Sequence, residues 1–162
     1  MPSVKPIDSA EPLPIDSPER KRLPPLLRRA WYGLNQAFRR RTAHLKITPD
    51  QFTVMRTLLE NDGITQRELT QLMASDPNTV ASLLERMEAS GLLERLPHEK
   101  DKRAYRLHLK PNGKRKYEAG REIAIELQAE VLAVLPAEER EKFLCQLAQI
   151  ADTCQNLSKV KA

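Results

Sequence analysis

The sequence is short of the residues that most chemistry needs. Its 162 positions hold two cysteines, three histidines and five glycines, and only 4% are aromatic. Cys145 and Cys154 fall in a segment that reads as one helix, about 13 Å apart along its axis, too far for a disulfide within it. With no third cysteine, a disulfide framework and a Cys-based zinc site are both excluded, and a reducing compartment is the default. His44, His98 and His108 show no metal-ligand spacing. A Ser/His/Asp set, a glycine-rich phosphate loop and a paired carboxylate site are all missing, so neither an enzyme nor a cofactor is expected. No run reaches the ~20 apolar residues of a membrane span. The first 25 residues contain seven prolines and several charges instead of an apolar signal segment. The chain reads as soluble and cytoplasmic, with no membrane partner.

What is present is an aliphatic helical pattern and an uneven charge. The net charge of +5 hides five blocks: −3 over residues 1–19, +9 over 20–46, −5 over 47–94, +7 over 95–121 and −3 over 122–162. Two basic blocks thus stand out on an otherwise acidic chain. Polyanions are plausible partners, although a charge run is also what any solvated face looks like.

Residues 1–19 are rich in proline, which fixes φ and removes donors, and read as a flexible arm. Residues 20–47 form a helical segment with Leu27, Ala30, Trp31, Leu34, Phe38 and Leu45 at helical spacing. Residues 48–110 hold a head. Thr48-Pro49-Asp50-Gln51 and Thr65-Gln66-Arg67-Glu68 are two capping boxes, and Asp76-Pro77 opens a further helix striped by Val80, Leu83, Leu84 and Met87. Gly63 and Gly91 serve as stops. Leu92–Leu96 and Tyr105–Leu109 then read as two strands around a charged loop. Residues 111–162 return to helix. Tyr117, Gly120, Ala124, Leu127, Val131 and Val134 mark a helix–helix seam running to about Leu135, and Phe143, Leu147, Ile150, Cys154 and Leu157 stripe a last helix. The fold class is mainly α with a small β-hairpin wing.

Two capped helices joined by Ala74-Ser75 and followed by a hairpin form a winged helix-turn-helix by arrangement. On its second helix the apolar stripe turns inward. That leaves Asn78, Thr79, Ser82 and Arg86 outward, with the first three near the N-terminus, where recognition helices touch base edges. Asn pairs with adenine, while Ser and Thr serve several bases. Thr65, Gln66, Ser75 and Pro77 flank this surface and join the expected DNA-binding set. Acidic Asp76, Glu85 and Glu88 on the same helix weaken its pull on phosphate. The loop carrying Lys100, Asp101, Lys102 and Arg103 supplies what the helix lacks, since such loops enter the minor groove. Asp101 fits there as an acceptor for Arg103 or a nearby main-chain donor.

The run Gly91-Leu92-Leu93-Glu94-Arg95, then Asp101-Lys102-Arg103-Ala104, then Leu107-His108-Leu109 and Gly113, resembles the signature of the MarR family of bacterial transcriptional regulators. The helix order over residues 24–158 is similar to that family as well. The resemblance implies a homodimer with interleaved terminal helices on a pseudo-palindromic operator, more often as a repressor. It implies recognition helices in adjacent major grooves of double-stranded DNA and wings in the flanking minor grooves. By it, Asp101 and Arg103 are the wing's structural and DNA-contacting pair. Ser82 stands where many relatives are basic, and Lys110-Pro111 replaces a common Thr-containing helix start. Relatives are often released by small aromatic or anionic effectors, for which Trp31, Tyr32 and His44 are the candidate residues, although dimer core is the favoured reading of Trp31. Arg39-Arg40-Arg41 has three open readings: DNA contact, an anionic effector, or pairing with acidic helices of a partner. The competing function is an architectural or protein-docking winged helix without operator choice.

Overall fold

A computed structural model describes residues 14, 17, 18 and 21–159; the rest of the proposed arm lies outside the described residues. Contacts divide the chain into two units, residues 1–36 and 37–162. In the first, helix α1 (Leu23–Arg41) begins, with Trp31 60% and Tyr32 66% exposed. α1 ends at Arg41, so the expected continuous stripe to Leu45 is interrupted. Thr42, fully buried, returns its hydroxyl to the Phe38 carbonyl at 2.8 Å, and Ala43–Leu45 forms a separate 3-10 turn.

The second unit contains the head. Helix α2 (Pro49–Glu60) starts where Thr48 and Gln51 close a capping box around Pro49 at the first helical position, where its missing N–H costs nothing. Helix α3 (Gln66–Leu72) starts on the same device from Thr65 and Glu68. Helix α4 (Pro77–Ala89) is capped by Asp76, whose Oδ1 accepts the Asn78 and Thr79 N–H groups at 2.7 and 3.3 Å. Strands β1 (Leu93–Pro97) and β2 (Tyr105–Leu109) pair antiparallel with Leu93 opposite Leu109 and Pro97 opposite Tyr105. β1 is thus shifted one residue along from its expected position. Gly91 precedes it at φ +68, the left-handed conformation a helix stop needs.

Helix α5 (Pro111–Leu132) leads through a 3-10 turn (Ala137–Glu139) to helix α6 (Arg140–Lys159). α5 stops three residues short of Leu135, and Lys110 gives it no side-chain cap. The core joins Phe38, Ile47, Phe52, Met55, Leu58, Leu69, Val80, Leu84, Met87, Leu93, Leu107 and Leu127. Each fully buried aliphatic side chain here contributes about 1.5–3 kcal/mol.

The expected seam on α5 is divided between two fates. Gly120 and Leu127 are buried, and Tyr117 and Ala124 pack on the core of the same chain. The reason is steric: a Cβ on Gly120 would stand 2.9 Å from Ile47 Cδ1 and 3.2 Å from the Phe52 ring. The missing side chain admits both, and Phe52 stacks on Tyr117 with centroids 5.1 Å apart. Val131 and Val134, by contrast, are 50% and 84% exposed. The first half of the stripe therefore serves this chain's own core, not a partner.

Candidate nucleic-acid interface

On α4 the four stripe residues Val80, Leu83, Leu84 and Met87 are buried, which turns Asn78, Thr79, Ser82 and Arg86 to the exposed side. Pro77 is exposed beside them and Ser75 is half-buried in the preceding turn. Ala74 in that turn has φ +48, a left-handed conformation that an L side chain tolerates at some cost. Arg86 is oriented by its own helix, its Nε donating to the Ser82 carbonyl at 3.2 Å.

Two acids that weakened the sequence case for this surface have internal duties. Asp76 is the cap. Glu88 accepts from Arg95 Nε and Nη2 at 2.9 and 2.8 Å, which ties β1 to α4. Thr65 is committed too: its hydroxyl accepts the Glu68 N–H and donates to Glu68 Oε2. Glu68 Oε2 also accepts the Thr65 main-chain N–H at 2.7 Å, and that bond, followed by the one from the hydroxyl, holds the Glu68 carboxyl below the usual carboxylate range, helped by the charge of Arg106. Gln66, next along, is half-buried.

The wing loop is a turn built from main-chain bonds. His98 N–H donates to the Ala104 carbonyl at 3.1 Å, and Ala104 N–H to the Asp101 carbonyl at 3.0 Å. Asp101 Oδ1 accepts the Arg103 N–H at 2.9 Å, the role expected of it. His98 Nδ1 accepts the N–H groups of Lys100 and Asp101, both at 3.2 Å. Lys100, Lys102 and Arg103 are left exposed on the outside of this turn.

The root of the wing is a feature that pattern reading misses. Gly63 N–H donates to the Leu107 carbonyl and Leu107 N–H to the Ile64 carbonyl, at 3.0 and 2.9 Å. A bridge between Thr65 and Arg106 continues this pairing. Residues 63–65 thereby act as a third, very short strand. Arg106 Nη1 donates to the Gly63 carbonyl at 2.9 Å, and His108 Nδ1 meets Asp62 Oδ1 at 2.9 Å. Gly63 has φ +75 and lies against the His108 ring. It follows the α2 cap Asn61 by two residues, so it shapes the wing root more than it stops the helix.

Away from this surface, a cavity of about 460 Å³ opens between α2, α5 and α6. Phe52, Tyr117 and Leu144 give it apolar walls, and Arg56, Arg121 and Arg140 give it positive charge. His44 is exposed and is not among its lining residues. Trp31 and Tyr32 belong to the 1–36 unit. Arg41, one of the three arginines with DNA contact, an effector or a partner's acids as open readings, makes a two-point contact with Glu130 of its own chain at 2.8 and 2.6 Å. That bond holds the Glu130 carboxyl below its usual range and raises the Arg41 guanidinium. Cys145 and Cys154 are free and exposed.

Helix, turn, capped second helix and hairpin define a winged helix-turn-helix, a DNA-binding class. The MarR family model matches residues 47–105. The transcriptional regulator HosA of Escherichia coli O127:H6 is 32% identical over 133 residues, covering 79% of this chain and 98% of that protein. Among solved structures, the transcriptional repressor CouR bound to a 23-mer DNA duplex is 26% identical with a TM-score of 0.72, over 78% of this chain and 89% of that one. A probable transcriptional regulator from Pseudomonas aeruginosa is 30% identical with the same TM-score, over 77% and 93%. The chain belongs to the MarR family of transcriptional regulators. It is a DNA-binding regulator and not an enzyme. No helix among the described residues is long and apolar enough to cross a membrane.

Proposed function

We propose that this regulator is a homodimeric, cytoplasmic repressor that reads a pseudo-palindromic operator. The observation that carries the reading is the pairing of surfaces: a capped α4 with short polar groups outward, tied through Arg95 and Glu88 to a hairpin tipped by three cations. Asn78, Thr79, Ser82 and Arg86 read base edges in the major groove, with Ser75, Pro77, Thr65 and Gln66 against the adjoining backbone. Lys100, Lys102 and Arg103 enter the flanking minor groove, with Asp101 holding the loop.

Residues 48–110 act as the head, and residues 20–47 and 111–162 join two copies. The exposed Val131, Val134, Phe143, Ile150 and Leu157 support that division, because apolar faces of this extent are normally covered. Two heads about 34 Å apart meet successive turns of one DNA face. A small aromatic or anionic effector releases the protein. The cavity between α2, α5 and α6, aromatic on one wall and bearing three arginines, suits that chemistry better than the exposed Trp31, Tyr32 and His44.

The deciding experiment is competition between a duplex selected from a random pool and unselected duplex. A preference of ~10³ or more is expected of an operator-reading protein. A ratio near one removes the operator reading and leaves the architectural one. Val131→Asp places a charge on the proposed dimer face, and sedimentation unchanged from wild type removes that placement.

A further inference from the structure

His98 is the one wing-loop residue whose side chain gathers two main-chain donors onto a single atom. Its Nδ1 accepts the N–H groups of Lys100 and Asp101, both at 3.2 Å. An imidazole nitrogen accepts only while it carries a lone pair, and a protonated ring has N–H at both nitrogens and accepts at neither. The two bonds therefore exist in the neutral ring alone. The turn they close presents Lys100, Lys102 and Arg103.

We propose that His98 is the positioning residue of the wing tip, and that acid releases the tip by protonating the atom that holds it, weakening the wing's grip on DNA. This rests on the wing contacting DNA, as set out under Proposed function. Histidine is the side chain whose charge ordinarily changes between about pH 5 and 8. The charges facing His98 are Glu68 at the start of α3, with Arg106 of β2 acting on the same carboxylate. Within its own loop are Glu99, Lys100, Asp101, Lys102 and Arg103. None of these charges can replace the two bonds that the neutral ring makes.

The sign separates this proposal from simple electrostatics. An added positive charge near phosphate strengthens binding as the pH falls; loss of the turn weakens it. His98→Asn is the informative variant, because an Asn side chain accepts from main-chain N–H groups two residues on and does not titrate. Affinity of the full-length wild type and of this variant is measured at fixed salt, at about pH 8 and about pH 5.5, with a duplex selected by the wild type at the higher pH. His44 and His108 are present in both proteins, so their contribution cancels in the ratio. The wild-type to His98→Asn affinity ratio is expected near one at the higher pH and roughly fivefold lower at the acid pH, about the worth of one net hydrogen bond. A ratio that is flat, or that rises in acid, overturns the proposal. His98→Ala is expected to be weak at both.

A second readout needs no DNA. The Lys100 and Asp101 amide protons should shift together with the His98 ring in a nitrogen-resolved NMR titration, and should stay still in His98→Asn. Amides that ignore the ring overturn the positioning role. If the wild type selects no duplex at all, the operator reading fails, and the amide titration alone then supports or overturns His98 as the residue that holds the turn.

Discussion

Helix α4 is fixed to the protein by four buried side chains, whereas the loop between β1 and β2 is fixed by hydrogen bonds to its own main chain. The difference follows from what each contributes. α4 carries little positive charge and works through short polar groups, so its position has to be accurate, and a close-packed core supplies that accuracy. The wing contributes charge, which acts at longer range and tolerates looser placement. The α4 groups proposed to meet bases are separable from those that seat the helix. In the wing the two jobs overlap, because Asp101 and His98 shape the turn within the same few residues as the cations they present.

The largest expected effect tests the seat of α4. Leu84→Ala removes a fully buried side chain and should cost about 2–5 kcal/mol of unfolding free energy in urea titration. A cost below about 1 kcal/mol would mean that the helix does not depend on its core for position. Next come the reading groups. Arg103→Ala should weaken DNA binding by about 1–3 kcal/mol, with the loss concentrated at A·T positions flanking the site, and Asn78→Ala should lose a similar amount at one base pair. A loss spread evenly over sequences would recast either residue as a phosphate contact.

Smaller is the loop itself. Asp101→Ala removes the acceptor for the Arg103 N–H and should cost DNA affinity about 0.5–1.5 kcal/mol, while Asp101→Asn, which keeps an acceptor oxygen, should retain most of it. Equal losses in the two variants would make the charge of Asp101, and not its bond, the active property.

The smallest effect is one of pH. The Glu68 carboxyl sits below its usual value of 4.5 because of its bonds to Thr65. A depressed carboxylate stabilises the fold fully above its unfolded value and loses that contribution as the pH falls through the folded one. Glu68→Gln should therefore be slightly less stable than wild type near neutrality and have a flatter acid limb below about pH 4.5, so that the two proteins converge in acid. An unchanged acid limb would show that the α3 cap is not held by charge.

Much of this was legible in the sequence because the informative patterns are local. Thr48-Pro49-Asp50-Gln51, Thr65-Gln66-Arg67-Glu68 and Asp76-Pro77 announced three helix starts, and the period-2 run from Tyr105 to Leu109 announced β2. What escaped was contact between distant residues. Residues 63–65 are too few to show alternation, so their pairing with β2 leaves no local trace. Arg106 and His108 alternate with Tyr105, Leu107 and Leu109 along β2, and nothing in that spacing shows that they fasten the hairpin to Gly63 and Asp62. The α5 stripe has the same spacing whether it meets a second copy or its own chain, and only the fit of Phe52 over Gly120 shows that half of it is used internally. Glu88 read as a liability until Arg95, seven residues on, was found against it.

The contact at Gly120 also bears on the cavity. The Phe52 ring and Ile47 Cδ1 lie 3.2 and 2.9 Å from where a Cβ at position 120 would stand, so any side chain there must displace them. Phe52 is also a wall of the cavity between α2, α5 and α6. A larger residue at position 120 would therefore press on a wall of that cavity as well as on the core.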